Sequence, residues 1–450
     1  MFVSVPFGII GSAFHMPLRQ MHLIAYLKTG PTALHVGGWR HPEATLGDIL
    51  EPSRYEHIAR VLEAARFDGC FFADLFGLYD IHGGSYDAYV RRGGQISFLD
   101  PTVVLPVMAA ATRHLGLGAT LSTSFHTPYH LARWLGSLDV MSKGRGAWNV
   151  VTSATNLEAR NAGMDELPAR DERYDRADEV LEACFALWET WDADAFVLDK
   201  RAGVLADPAK VHYANYEGRF VKTRGPLSIP RSPQGRPVII QAGSSDRGRD
   251  FAARWAEVIF TVQRDREEMR AFYVDVKSRM KQRGRPPSDC AILPGVTVIL
   301  GETQSIARER AEYLNSLIDP ELNEAAASRG LGADLTKLGT DRSLAELQGT
   351  QGMKGTEDLL RQSMTAEGLT IAKAATKRNL RRELVGTAET VADWLQETFE
   401  ANVCDGFVLA PTVFPGMFEQ FCRSVVPILQ SRGLFRVDYT GRTLRENLRS

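Results

Sequence analysis

The chain has 450 residues, 44% of them hydrophobic, and a formal net charge of −2 with acidic and basic side chains interspersed. That length suffices for one large domain or two ordinary ones, and the even charge leaves no electrostatic footprint for nucleic acid or an anionic membrane surface. Small molecules are the expected partners.

The five cysteines, Cys70, Cys184, Cys290, Cys404 and Cys422, are odd in number, widely spaced and without a Cys-x-x-Cys pair. Neither a disulfide framework nor a zinc site is expected from that pattern, and buried thiols in a reducing cytoplasm are. No apolar run reaches membrane-spanning length. Residues 1–15 are apolar but lack the basic n-region of a signal peptide, so residues 1–19 read as an N-terminal extension before one domain over 20–450.

In chain order, the pattern predicts a first strand over 21–27, a loop holding Gly37, Gly38, Trp39 and Arg40, and a helix over 52–65. A second strand over 68–73 ends at Asp74. A Gly- and Tyr-rich loop, 76–99, precedes the Asp100-Pro101 start of an apolar helix ending near His114. The third strand, 115–121, leads through Ser122, Thr123 and Ser124 to a helix from Pro128 to Met141. A fourth strand over 146–151 ends at Thr152 and Ser153, and a strongly periodic helix follows over 173–191. Residues 192–236, rich in Gly, Pro and charge, read as a surface insertion.

Val238, Ile239 and Ile240 make a short β-branched run that enters the turn Gly243-Ser244-Ser245. Phe251, Ala252, Trp255 and Ala256 then recur at helical spacing, so the period changes at the turn. A helix start leaves backbone N–H groups unpaired at the positive end of the macrodipole. Gly243 lets an anion approach, while Ser244 and Ser245 add hydroxyl donors. The plainer alternative is that Ser244, Ser245 or Asp246 simply caps the helix. Further strands are predicted over 258–261, 291–300 and 406–410, with a helix over 387–400. Eight buried strands alternating with helices predict an α/β fold, a closed parallel (β/α)8 TIM barrel with long insertions at about 76–100, 192–236 and 319–385. The last insertion is long enough to be a lid, an active-site wall or an oligomer contact, with Leu359, Leu360, Met364, Leu369, Ile371 and Leu380 supplying an apolar face.

In such a barrel the active site lies at the C-terminal strand ends. Asp74, Thr120, Asn149, Thr152, Ser153, Gly243, Ser244 and Ser245 all fall there. Nearly all are uncharged hydrogen-bonders rather than a triad, a carboxylate pair or a metal set, which suits a protein whose cofactor does the chemistry. Arg170 and Tyr174, four apart, share a helix face. His126 and His130 have the spacing of metal ligands, but Pro128 between them favours a structural or substrate-pocket role, and no metal is expected. Phe76 and Tyr79 follow a strand end and are candidates to line a substrate pocket. Cys70 reads as inert core.

The segments Gln20-Met21-His22-Leu23, Asn149-Val150-Val151-Thr152-Ser153, Glu158-Ala159-Arg160-Asn161, Arg173-Tyr174-Asp175-Arg176-Ala177, Gln241-Ala242-Gly243-Ser244-Ser245 and Val425-Val426-Pro427-Ile428-Leu429 carry a family resemblance. In this order they resemble the bacterial-luciferase-like flavin monooxygenases, in the branch of nitrilotriacetate and dibenzothiophene-sulfone monooxygenases. The resemblance implies a barrel that binds reduced FMN, supplied by a separate NAD(P)H-dependent flavin reductase, with O2 as co-substrate. It implies oxygenation of a small organic, xenobiotic-type substrate through a flavin peroxide, in a homodimer or homotetramer. Carried over residue by residue, Asp74 and Thr120 would lie near the flavin ring, Asn149 and Thr152 in the wall beside it, and Tyr174, Ser244 and Ser245 at the phosphate. The chain departs from the family where a His commonly stands four residues before the Tyr. Arg170 occupies that place, and an Arg can still grip a phosphate bidentately, with a different pH dependence and geometry. The alternatives are a deazaflavin-dependent dehydrogenase of the same fold and a flavin-binding protein without turnover.

Overall fold

Short runs of β-branched and aromatic residues form eight mutually parallel strands: β1 His22–Leu27, β2 Gly69–Phe72, β3 Gly116–Ser122, β4 Gly146–Val151, β5 Val238–Gln241, β6 Val258–Thr261, β7 Ala291–Leu300 and β8 Gly406–Ala410. The computed structural model describes residues 19–32, 34–337 and 382–449. Each strand pairs with the next in sequence from β1 to β8, and β8 pairs back onto β1, so the sheet closes into a barrel without an edge. The expected (β/α)8 architecture is the observed one.

Side chains alternate across each strand. Ile24, Tyr26, Phe71, Ala147, Val238, Ile240, Val258, Phe260, Leu293 and Val408 pack together inside the barrel. Their neighbours, among them Leu23, Ala25, Cys70, Phe72, Trp148 and Ile239, face outward into the larger core under the helices. That outer core takes Tyr55, Ile58 and Leu62 from the helix Pro52–Ala64, and Leu131 and Leu135 from Pro128–Met141. Each such fully buried side chain contributes roughly 1.5–3 kcal/mol. The bottom of the barrel is plugged by the C-terminal helix Leu444–Asn447, and a Cβ on Gly116 would stand 2.6 Å from Leu444 Cδ1. Arg436 and His22 both reach the fully buried Asp68 beneath the barrel, at 2.6 and 2.8 Å.

Several boundaries differ from expectation. The periodic helix spans Arg170–Trp188 rather than 173–191, because Asp171 and Glu172 favour its first turn and the chain beyond Glu189 turns into a bridge between Trp191 and Val211. The apolar helix expected to end near His114 is Pro101–Ala111, where the Thr112 backbone turns extended. The expected loop over 76–99 contains the short helix Asp87–Arg92. Residues 192–236 carry two small hairpins, Phe196–Asp199 with Val204–Ala206 and Tyr216–Glu217 with Lys222–Thr223. The last insertion opens with the helix Pro320–Leu331 and closes with an unexpected strand, Arg382–Gly386, which pairs in parallel with the upper half of β7 outside the ring. Its apolar residues Leu359 to Leu380, and residues 1–18 of the N-terminal extension, lie outside the described residues.

The Pro320–Leu331 helix packs Leu322 and Ala325 onto Ala88 and Tyr89 of the Asp87–Arg92 helix, and Arg92 meets Glu321 at 3.0 Å. Two insertions are thereby joined. Of the cysteines, all but the half-buried Cys422 are buried, and burial pushes the Cys70 thiol up to about 12. Among the described residues no helix is long and apolar enough to cross a membrane.

Candidate active site at the barrel mouth

Thr120 on β3 and Asn149 on β4 are register partners, one inward step above Gly118 and Ala147. Asn149 Nδ2 donates to Thr120 Oγ1 at 2.8 Å, and Thr120 Oγ1 donates to the Phe72 carbonyl on β2 at 2.6 Å. The Asn149 carbonyl oxygen is out of water and has no hydrogen-bond partner. The same holds for Gln241 Oε1 at the end of β5 and for Gln263 Oε1 just past β6. Buried polar atoms are normally paired. Three orphaned acceptors at the same end of three neighbouring strands mark a place where donors from another molecule fit.

The Gly243-Ser244-Ser245 turn follows β5 at this end. Ser245 caps the helix Asp246–Trp255, its Oγ accepting from Gly248 N at 3.0 Å, so the capping alternative holds for Ser245. The Tyr174 hydroxyl is hydrogen-bonded to Ser245 as well, and burial pushes that hydroxyl's pKa up against the pull of Ser245 and Arg170. A Cβ on Gly243 would stand 2.3 Å from Gln241 Nε2 and 2.7 Å from Tyr174 Oη, so only glycine leaves that space open. Arg170 is the first residue of the helix that carries Tyr174, and Ser244 is exposed on the turn. Turn, tyrosine and guanidinium are therefore grouped: Tyr174 meets Ser245 and stands beside Gly243, and Arg170 lies within its field.

Thr152 and Ser153 continue from β4. The Thr152 carbonyl accepts from Ser124 Oγ at 2.9 Å. Ser153 adopts φ 59°, the left-handed region that non-glycine residues rarely enter. It is held there by Oγ contacts of 3.0 Å to both Ser122 Oγ and Glu158 Oε1, while Arg173 donates to its carbonyl. Glu158, in the Asn156–Asn161 helix, also accepts from Ala154 N and Thr155 Oγ1. The Glu158-Ala159-Arg160-Asn161 segment thus shapes the loop behind β4.

Asp74 lies half-buried past β2. Burial pushes its carboxyl up, opposed by a hydrogen bond from Ser97 and the charge of Lys28. Phe76 is 46% exposed; its ring stacks 6.1 Å from Phe125 and lies 6.4 Å from His126. His126 and His130 both face Trp134, at 5.3 and 5.6 Å, and burial pushes the His126 imidazolium down. Phe76 and His126 are therefore brought together, with His130 one ring away. Tyr79 stands apart from Phe76, its ring 5.1 Å from Tyr89 and 5.0 Å from the Arg329 guanidinium under the Pro320–Leu331 helix. Among the described residues no three His, Cys, Asp or Glu side chains are grouped to hold a metal ion.

Sequence reasoning left Gln241, Gln263, Lys28, Gln95, Ser97 and Arg329 without a role. Gln241, Gln263 and Lys28 stand at or just past strand ends, where the strand-end rule could have found them. Gln95, Ser97 and Arg329 come from insertions and carry no local signal.

Residues 32–405 match the luciferase-like monooxygenase family. The chain is 44% identical over 438 residues to dibenzothiophene-sulfone monooxygenase of Rhodococcus erythropolis (strain XP), covering 96% of each chain. It is 37% identical over 428 residues to nitrilotriacetate monooxygenase component A of Aminobacter aminovorans, covering 93% of this chain and 94% of that one. Among solved structures, a riboflavin lyase with modified FMN and riboflavin superimposes with a TM-score of 0.89 at 32% identity, over 95% of both chains. The chain belongs to the luciferase-like monooxygenase family and is a flavin-dependent monooxygenase that uses reduced FMN and O2.

Proposed function

We propose that FMN lies across the barrel mouth with its phosphate at Ser244, Ser245, Tyr174 and Arg170, in the space that Gly243 keeps open. The observation that carries this is the orphaned set of amide oxygens beside that turn, on Asn149, Gln241 and Gln263, which fits the donors of a reduced flavin ring. Thr120 and Asn149 hold the ring side, Thr152 and Asp74 the walls, and Phe76, His126 and His130 border the organic substrate. The helix start behind Ser245 adds its dipole to the phosphate site, and Arg170 adds a guanidinium that can grip it bidentately.

Bound reduced FMN supplies the two electrons with which O2 is cleaved, one oxygen entering the substrate and the other leaving as water. The protein binds, orients and dries. The joined insertions over residues 87–92 and 320–331 stand as the mouth's cover, excluding the water that would divert reduced flavin and O2 to hydrogen peroxide. The substrate is a small organic compound of xenobiotic type, carrying sulfur, nitrogen or halogen, in keeping with the relatives named for dibenzothiophene sulfone and nitrilotriacetate. Reduced flavin comes from a separate reductase, which we take to be NAD(P)H-dependent, in the cytoplasm. Exposed Phe196, Val197, Leu198 and Leu205 on the first hairpin favour a homodimer or homotetramer.

The test is FMNH2-supported O2 consumption with an added flavin reductase and a panel of sulfones, sulfides, haloaromatics and aminopolycarboxylates, followed by product mass. A product that gains oxygen is expected. The double variant Ser244→Ala/Ser245→Ala is expected to lose FMN affinity; unchanged affinity would overturn the phosphate assignment. The 44% identity to a sulfone monooxygenase favours this over the deazaflavin dehydrogenase, which would leave O2 unconsumed.

A further inference from the structure

Two cations at the barrel mouth are not accounted for by flavin binding. Lys28 occupies the inward register of β1 one step beyond Ile24 and Tyr26, is 8% exposed, and donates to Ser97 Oγ at 3.4 Å. Arg329 descends from the Pro320–Leu331 helix. Its Nη1 donates to Gln95 Oε1 at 2.6 Å, its guanidinium lies 5.0 Å from the Tyr79 ring centre, and its buried Nε has no partner. Neither cation forms an ion pair with any described residue.

The charges around them do not balance. Asp74 and Glu158 are the carboxylates whose fields reach Lys28, and Arg329 acts on it with like sign. Glu158 is already bound by Ser153, Ala154 and Thr155 and lies in the field of Arg173. Asp74 is then the carboxylate left to Lys28, and it also takes a hydrogen bond from Ser97. The groups whose fields act on Arg329 are the phenols Tyr79, Tyr89 and Tyr26, and Tyr79 is also hydrogen-bonded to it; no carboxylate is among them. A charge held out of water without a counter-ion is costly, and it persists where the counter-ion arrives with a ligand.

Position separates this anion from the phosphate of FMN. In the ring of strands β1 stands opposite β5, so Lys28 is across the mouth from Ser244 and Ser245. Gln95 and Ser97, between the two cations, add neutral hydrogen-bonding groups suited to a planar oxyanion.

We propose that Lys28 and Arg329, with Gln95 and Ser97, bind an oxyanion group of the organic substrate, a carboxylate or a sulfur oxyacid. The substrate is then an organic acid anchored at one end while its other end meets the oxygenation site. This rests on the barrel mouth being that site. Arg329 belongs to an insertion helix, so an anion bound there also ties the cover to β1.

The test is calorimetric titration of the full-length protein, saturated with oxidised FMN, using benzoate, succinate and benzenesulfinate, with benzamide as neutral control. At least one anion is expected to bind about tenfold or more tightly than benzamide. Arg329→Gln and Lys28→Met are each expected to lower that affinity about tenfold while FMN affinity stays near wild type and neither variant melts below it. Absence of anion binding, or equal anion binding in both variants, overturns the proposal. So does a loss of reduced-FMN affinity with anion binding intact, which assigns the cations to the reduced ring and leaves the flavin site standing. A wild-type protein that binds no FMN fails the underlying function instead.

Discussion

Asn149 Nδ2 donates to Thr120 Oγ1 across β4 and β3 at 2.8 Å, and the Asn149 carbonyl oxygen beside it is buried without a donor. The relay runs one way, because Thr120 spends its own proton on the Phe72 carbonyl. Asn149→Ala removes the unpaired acceptor together with the bond to Thr120, and leaves the bond from Thr120 to the Phe72 carbonyl in place. FMN affinity, read by quenching of flavin fluorescence, is expected to fall about 3- to 10-fold, the worth of one neutral hydrogen bond. Unchanged affinity would remove Asn149 from the flavin wall.

Gly243→Ala places a methyl 2.3 Å from Gln241 Nε2 and 2.7 Å from Tyr174 Oη. To relieve that contact, Gln241 or Tyr174 must shift from its present place beside the turn. FMN binding is expected to weaken by at least about tenfold, since overpacking typically costs 1–3 kcal/mol. Gly47→Ala is the control, as a Cβ there meets nothing within 4 Å. Equal FMN affinity in the two variants would show that Gly243 guards no ligand space.

Burial pushes the Lys28 ammonium down to about 8 from 10.5, opposed by Asp74 and Glu158 and assisted by Arg329, with Ser97 its hydrogen-bond partner. The folded state therefore binds fewer protons than the unfolded state between those values. Stability rises with pH across that window, and the full cost of the buried charge is present below it. Lys28→Met is expected to stabilise the ligand-free protein at pH 7, by an amount of order 3 kcal/mol at most, with the gain shrinking towards pH 10. Urea melts at both pH values measure it. Affinity for a substrate anion is expected to fall as pH passes through about 8, and a flat profile in the wild type would count against Lys28 as its ligand.

Beneath the barrel, burial alone would push the Asp68 carboxyl up, yet the charges of Arg436 and His22 and their hydrogen bonds hold it below the ordinary value of 3.8. Because the folded pKa is depressed, this contribution is complete above the unfolded carboxylate value and is lost as pH falls through the folded one. Arg436→Met leaves the fully buried carboxylate with His22 and the Leu23 backbone N–H but no full counter-charge, and removes the 2.9 Å bond that Arg436 donates to the Asn447 carbonyl. A loss of about 3–5 kcal/mol in chemical denaturation at pH 7 is expected. FMN affinity should not change, since this cluster lies at the opposite end of the barrel.

The barrel itself was legible because its signals are local. Val238 to Ile240, Val258 to Thr261 and Gly406 to Ala410 are short apolar runs buried on both faces, and each is followed by a break and a helical period. The turn Gly243-Ser244-Ser245 and the strand ends Thr120, Asn149 and Thr152 could be placed at the mouth from that alternation alone. The strand Arg382–Gly386 was not legible: its sequence, Arg-Glu-Leu-Val-Gly, lacks a continuous apolar run, and its pairing with β7 supplies what its composition does not. Nor could residue order show that Tyr174 meets Ser245, that Tyr79 parts from Phe76, or that Arg329 comes within the field of Lys28. Sequence by itself determined the order, hand and buried faces of the strands, since side-chain alternation and chain chirality act over a few residues. Only the tertiary structure decided which insertion side chains meet over the mouth, because those contacts depend on how distant segments close on one another.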